Sequence, residues 1–135
     1  MNLFKEQINN WDDWGRIFQS IPAFTPLVEH IMQKENLPSA EIENLIPGTN
    51  AVFKVGEYVI KIFAPPEFSI DEDYGTNVDV ELFGIKWANA QGVSAPKLIA
   101  DGAVDDKYRF RYMIMEYTSC ITEIISQNYK FRLSD

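Results

Sequence analysis

Between residues 51 and 63 two apolar runs, AVFKV and YVIKIF, flank the dipeptide Gly56-Glu57. Strand-length runs joined by so short a glycine turn predict an antiparallel hairpin. Ile42 to Ile46 predicts a strand before it, with Pro47-Gly48 as the turn into the hairpin. Alternation along residues 58–63 places Val59, Lys61 and Phe63 on one face and Tyr58, Ile60 and Ile62 on the other. Lys61 breaks that pattern, because its ammonium must either reach water or find partners.

The pattern changes period further along. Pro65-Pro66 ends the strand, and residues 67–79 are acidic and turn-rich. From about Val78 to Ala90 a helix is predicted, with Val78, Glu81, Ile85 and Ala88 on one face: an apolar stripe carrying one carboxylate. Lys97 to Ala100 reads as a fourth strand, Asp105-Asp106 as a turn, and Arg109 to Glu116 as a fifth strand. Cys120 to Ser126 reads as the start of another helix. The opening hairpin favours an antiparallel sheet with the helix over one side, rather than a parallel strand-helix-strand unit.

Residues 1–37 have a helical texture. Trp11, Trp14, Ile17 and Phe18 recur at helical spacing, with Asp12 and Asp13 as first-turn acids. Pro22 interrupts this pattern. Thr25-Pro26 then reads as a cap and first-turn proline of a second helix running through Leu27, Val28, Ile31 and Met32 to about Asn36. The head is expected to be a packing appendage. The fold class is thus α+β, a five-stranded antiparallel sheet with one packed helix and an N-terminal helical extension. The expected divisions are 1–40, 41–118 and a short remainder, 119–135.

Composition narrows the function classes. The 135 residues, 46% hydrophobic and 13% aromatic, suit one globular domain. A net charge of −8 argues against a nucleic-acid backbone or an anionic membrane as partner. The single cysteine, Cys120, excludes an internal disulfide and fits a reducing, cytoplasmic setting. No stretch approaches the length of an apolar membrane span. The lone histidine, His30, lies in the helical head, and no His, Cys and Asp cluster has metal-ligand spacing.

For Lys61 the plain alternative is a solvated lysine on an edge strand. Three features point elsewhere. The Gly48-Thr49-Asn50 turn can present donors to a phosphate. Glu81 stands on the inward stripe of the following helix. The segment YMIMEYT can leave backbone groups open past a strand end.

PGTNAVFKV, YVIKIF, VELFGI, PKLIADG and YMIMEYT, in their order along residues 41–118, resemble the N-terminal lobe of the protein-kinase-like fold. The closer resemblance is to the aminoglycoside phosphotransferase family. It implies a reduced phosphate-covering loop at Gly48, Thr49 and Asn50, unlike the G-x-G-x-x-G of protein kinases. It further implies Lys61 on the α- and β-phosphates of ATP or GTP, Glu81 as its ion-pair partner, and Val59 against the purine. The carbonyl of Glu116 and the N–H of Thr118 would meet the purine edge, with Tyr117 between them.

The family's base aspartate and magnesium ligands lie beyond the interlobe linker, and the 17 residues after Thr118 contain no matching motif. The expectation is a truncated lobe, itself inactive. With its C-terminal lobe and Mg2+, the parent would phosphorylate a small hydroxylated substrate, such as an aminoglycoside, and so serve antibiotic resistance. Half a cleft should leave Lys61 and Glu81 wet, making their pair worth about 0–1 kcal/mol. Apolar surface at Met113, Met115 and Ile121 should be exposed and favour a homodimer. The alternative is a non-catalytic binding or protein-interaction module.

Overall fold

The computed structural model describes residues 2–66, 74–93 and 95–117. Their elements run α1 (Trp11–Ile17), α2 (Ile21–Lys34), β1 (Ile42–Asn44), β2 (Ala51–Val55), β3 (Tyr58–Ile62), α3 (Tyr74–Gln91), β4 (Leu98–Asp105) and β5 (Arg109–Glu116). The strands form one sheet of order β1-β2-β3-β5-β4, antiparallel at every contact. The described residues are therefore α+β, with three helices on a five-stranded sheet. β3 lies at the centre, and α3 carries the chain to the far edge, so β3 and β4 run in the same direction with antiparallel β5 between them and no two neighbouring strands are parallel.

The hairpin follows from its turn. Val55 pairs with Tyr58 across Gly56-Glu57, and Gly56 takes a φ of 64°, the left-handed conformation that a glycine-first two-residue turn uses. Alternation along β3 divides the core. Ile60 and Ile62 point into the larger of two apolar clusters, with Phe53, Phe110 and Ile114. Val59 and Phe63 point into the smaller, with Val52, Val78, Leu82, Met113 and Met115.

Both faces of the sheet are covered, not one. The head supplies Phe4, Ile8, Trp14, Phe24, Leu27 and Ile31 to the larger cluster, so its helices build the main core and are no mere appendage. Pro22 opens α2 instead of interrupting the pattern. Ser20 caps that helix, its side chain accepting from the Ala23 N–H, and Pro22 occupies the first turn, where a missing donor costs nothing. Thr25 lies inside the helix, its Oγ1 donating to the Ile21 carbonyl at 2.7 Å. α2 ends at Lys34 with Glu35 as its cap, and Asn36, with a φ of 60°, takes the left-handed conformation favoured after helix ends. Tyr112 donates to the Glu35 carboxylate. Burial raises the Tyr112 pKa above the ordinary phenol value, and the Glu35 carboxylate raises it further.

β4 is longer than its first apolar residues predict, running on through Asp101-Gly102 to Asp105. Gly102 faces Tyr112 across the ladder, and a Cβ there would lie 2.6 Å from the tyrosine hydroxyl oxygen. The glycine marks a close approach, not a turn. α3 begins before Val78, at Tyr74. The helix expected at 120–126 lies outside the described residues.

Candidate functional site

The central strand aims Lys61 at the α3 side, between Val52 on β2 and Met113 on β5. On α3, Val78 and Leu82 are buried against the sheet. The helical period carries Glu81 to the edge of that buried stripe, over β3. Lys61 and Glu81 form a hydrogen-bonded ion pair. The Lys61 ammonium also lies 5.4 Å from the centroid of the Phe63 ring. Each side chain of the pair is only 11% exposed, so the pair is not the wet one expected from half a cleft. Helix α3, lying across the sheet, excludes the water.

Other polar contacts fix the angle of α3. Arg111 donates to Asp79 at 2.9 Å, and Lys86 pairs with Asp101 at 3.3 Å. Asn89 clamps the entry to β4, donating to the Pro96 carbonyl at 2.9 Å and accepting from the Leu98 N–H at 2.8 Å. A helix held at three points along its length keeps Glu81 in place without help from a ligand.

The loop at Gly48, Thr49 and Asn50 joins β1 to β2 and is braced from outside. The Trp14 indole N–H donates to the Thr49 carbonyl at 2.8 Å. Gln19 donates to the Leu45 carbonyl at 3.2 Å on the loop's incoming side. Asn50 is buried, and its Oδ1 accepts the Ala64 N–H at 3.0 Å, tying the start of β2 to the residues after β3. Its side-chain oxygen therefore works within the fold. Thr49 is exposed. Trp14 and Gln19 were not legible as loop supports, because no sequence period relates residue 14 or 19 to residue 49.

Val59 is fully buried among the apolar residues under α3, so a planar ligand reaches it only after a neighbouring side chain moves. Met113 and Met115 are buried in the same group, contrary to the exposed surface expected of them. They alternate inward along β5 beneath α3, which covers them as the sheet edge alone would not. Glu116 is exposed, its N–H donating to the Lys97 carbonyl at 2.9 Å. The next N–H, of Tyr117, goes to the Glu57 carbonyl at 2.8 Å, and the Lys54 ammonium lies 4.9 Å from the Tyr117 ring centroid. Thr118 and Ile121 lie outside the described residues.

The structure thus brings Lys61 and Glu81 together on the face they share with Val59, and places the Gly48–Asn50 loop at the start of the neighbouring strand. Chemically this is a cation held by a paired carboxylate, set above apolar side chains. Among the described residues, no group of three or more His, Cys, Asp and Glu is placed to hold a metal ion. No helix among them is long and apolar enough to cross a membrane. No protein-family model, no curated protein and no solved structure matches the chain.

Proposed function

We propose that residues 41–118 are the nucleotide-binding lobe of a small-molecule phosphotransferase with the protein-kinase-like fold, akin to the aminoglycoside phosphotransferases. One observation carries the reading: the Lys61–Glu81 pair, a cation from the central strand held by a carboxylate from the helix that crosses it. Phosphoryl transfer is catalysed mainly by positioning and charge stabilisation. A lysine suits phosphate oxygens as a compact charge, and Glu81 keeps it from collapsing onto other acceptors.

In this reading Lys61 meets the α- and β-phosphates of ATP or GTP, and backbone donors around Gly48 and Thr49 cover them. Asn50 holds the loop's exit, through Ala64, and does not reach the nucleotide with its side-chain oxygen. The purine would lie toward Val59, with Glu116 and Thr118 at its polar edge. A second lobe would supply the base aspartate, the Mg2+ ligands and the contacts to a hydroxylated substrate. The reading implies the cytoplasm as its setting, where these nucleotides and reduced thiols coexist.

Titration with fluorescent ATP and GTP analogues tests it. The chain should bind one or both weakly, and Lys61→Met, verified as folded, should weaken binding about tenfold, the loss expected for one charge-assisted contact. Glu81→Gln should weaken it less. Absence of saturable binding at millimolar nucleotide, or binding indifferent to Lys61→Met, defeats the proposal. A second reading, a non-catalytic interaction module, draws on a different observation: the outward side of α3 carries exposed Val80, Phe83 and Trp87.

A further inference from the structure

We propose that α3 is a self-association element, pairing in antiparallel fashion with α3 of a second copy of this chain. The inference is independent of the nucleotide reading, since it uses the side of the helix turned away from Lys61.

Successive residues of a helix turn by about 100°, so Val80, Phe83 and Trp87 form one stripe, opposite Val78, Leu82 and Ile85. The inward stripe packs on the sheet. The outward one is exposed: Val80 63%, Phe83 70%, Trp87 53%. A helix apolar on both sides is one that is covered on both sides. Scattered exposed apolar residues need no explanation, but two aromatics and a valine aligned along one helix do.

Two features of the stripe favour a second copy over an unrelated partner. The first is shape. Gly84 lies beside Phe83, and a Cβ built on it meets nothing within 4 Å. A two-fold axis level with Phe83 and Gly84 lays the Phe83 ring of each helix beside that of the other, and Gly84, on the other flank, puts no side chain between the helices. The same axis places Val80 opposite Trp87. The patch is self-complementary, as an isologous interface requires.

The second feature is charge. Asp79 and Lys86 are seven residues apart, about two turns, and so share one flank of the stripe. The two-fold axis brings like flanks together with the helices reversed. Asp79 of one copy then lies level with Lys86 of the other, to within about 3 Å along the axis. Asp79 is already paired with Arg111 and Lys86 with Asp101, so dimerisation joins two pairs in each subunit into alternating networks. A parallel pairing brings unlike flanks together and forms no such pair across the axis. The stripe offers a few hundred Å2 per copy, less than the roughly 800 Å2 of a standard interface. The dimer should therefore be reversible and concentration-dependent.

Sedimentation velocity of the full chain over a concentration series tests this. The weight-average mass should rise from monomer toward dimer, and Phe83→Ser with Trp87→Ser should shift the midpoint at least tenfold higher without altering the circular dichroism. Lys86→Glu should weaken association, because it sets like charges opposite across the axis. For geometry, Gly84→Cys in a Cys120→Ser background should form a disulfide-linked dimer under mild oxidation. A chain monomeric at every concentration overturns the proposal, as does association unaffected by the stripe variants or absence of the Gly84→Cys cross-link. In a monomer, iodide quenching of the Trp87 signal, isolated by difference from Trp87→Phe, identifies what replaces it. Shielding means that residues 118–135 of the same chain cover the stripe, and free quenching means a different protein partner. Both results reject self-pairing.

Discussion

Lys61 and Glu81 are adjacent because two different periods coincide, the two-residue period of β3 and the 3.6-residue period of α3. Both were readable. What lay beyond the sequence was the depth of the pair, since pattern alone does not say which helix roofs which strand. That roof changes the energetics. An exposed pair contributes about 0–1 kcal/mol, whereas removing one member of a buried pair leaves an uncompensated charge and costs about 3–5 kcal/mol. At 11% exposure for both side chains, Lys61 and Glu81 belong near the second case. We expect Glu81→Leu and Lys61→Met each to destabilise the fold by roughly 2–3 kcal/mol, since the remaining group can still reach water at the helix edge. The double variant should cost much less than their sum. Urea denaturation of the four proteins measures the coupling, and additive losses would show that the two groups do not stabilise each other.

Among the elements, the β2–β3 hairpin and β5 were legible because a glycine turn and strict alternation are local signals. The beginning of α2 and the length of β4 were not. Pro22 and Gly102 each have two meanings, and apolar periodicity does not choose between them: the choice is made by the Ser20 cap two residues earlier for one and by the Tyr112 hydroxyl across the ladder for the other. Residues 2–9 show the same limit. They carry no regular structure, yet Phe4 and Ile8 are fully buried, and the Asp106 carboxylate in the β4–β5 turn accepts the N–H groups of Leu3 and Phe4 at distances from 2.9 to 3.2 Å. The Ile8 N–H meets the Tyr108 hydroxyl at 2.8 Å. Burial alone would raise the Asp106 pKa, but the hydrogen bonds from Phe4, Leu3 and Lys107 outweigh it and hold it below 3.8. A lowered carboxylate stabilises the fold at pH above its unfolded value and loses that contribution as pH falls through the folded one. Asp106→Asn should therefore lower the denaturation midpoint at pH 7, and the two proteins should converge only as pH falls below the ordinary carboxylate range, through the lowered folded value. A difference that persists unchanged to pH 2.5 would place the effect elsewhere than in the carboxylate's charge.

At the scale of the whole molecule, the helical head and the candidate site prove to be one mechanical unit. The head builds the large cluster on one face of the sheet, while Lys61 and α3 occupy the other. The link between them is the loop before β2: Trp14 in α1 holds the Thr49 carbonyl, and Gln19, just after α1, holds that of Leu45. Removing residues 2–37 would strip the cover from Phe53, Ile60, Ile62, Phe110 and Ile114, so the remainder should bind a hydrophobic dye and show no cooperative unfolding. Trp14→Phe is the finer test, because it retains an aromatic ring and deletes the indole donor. The buried ring loses some volume and the Thr49 carbonyl loses a partner, a combined cost of about 1–2 kcal/mol. The larger effect should be local. Hydrogen exchange at Thr49, Asn50 and Val52 should accelerate by more than the global loss accounts for, whereas exchange on β4 should follow the global loss alone. If nucleotide phosphates bind beneath this loop, the same variant should weaken fluorescent-nucleotide binding while leaving the Lys61–Glu81 coupling energy unchanged. That combination separates the loop's contribution from the cation's. Equal acceleration of exchange throughout the sheet would instead make Trp14 a core residue with no particular hold on the loop.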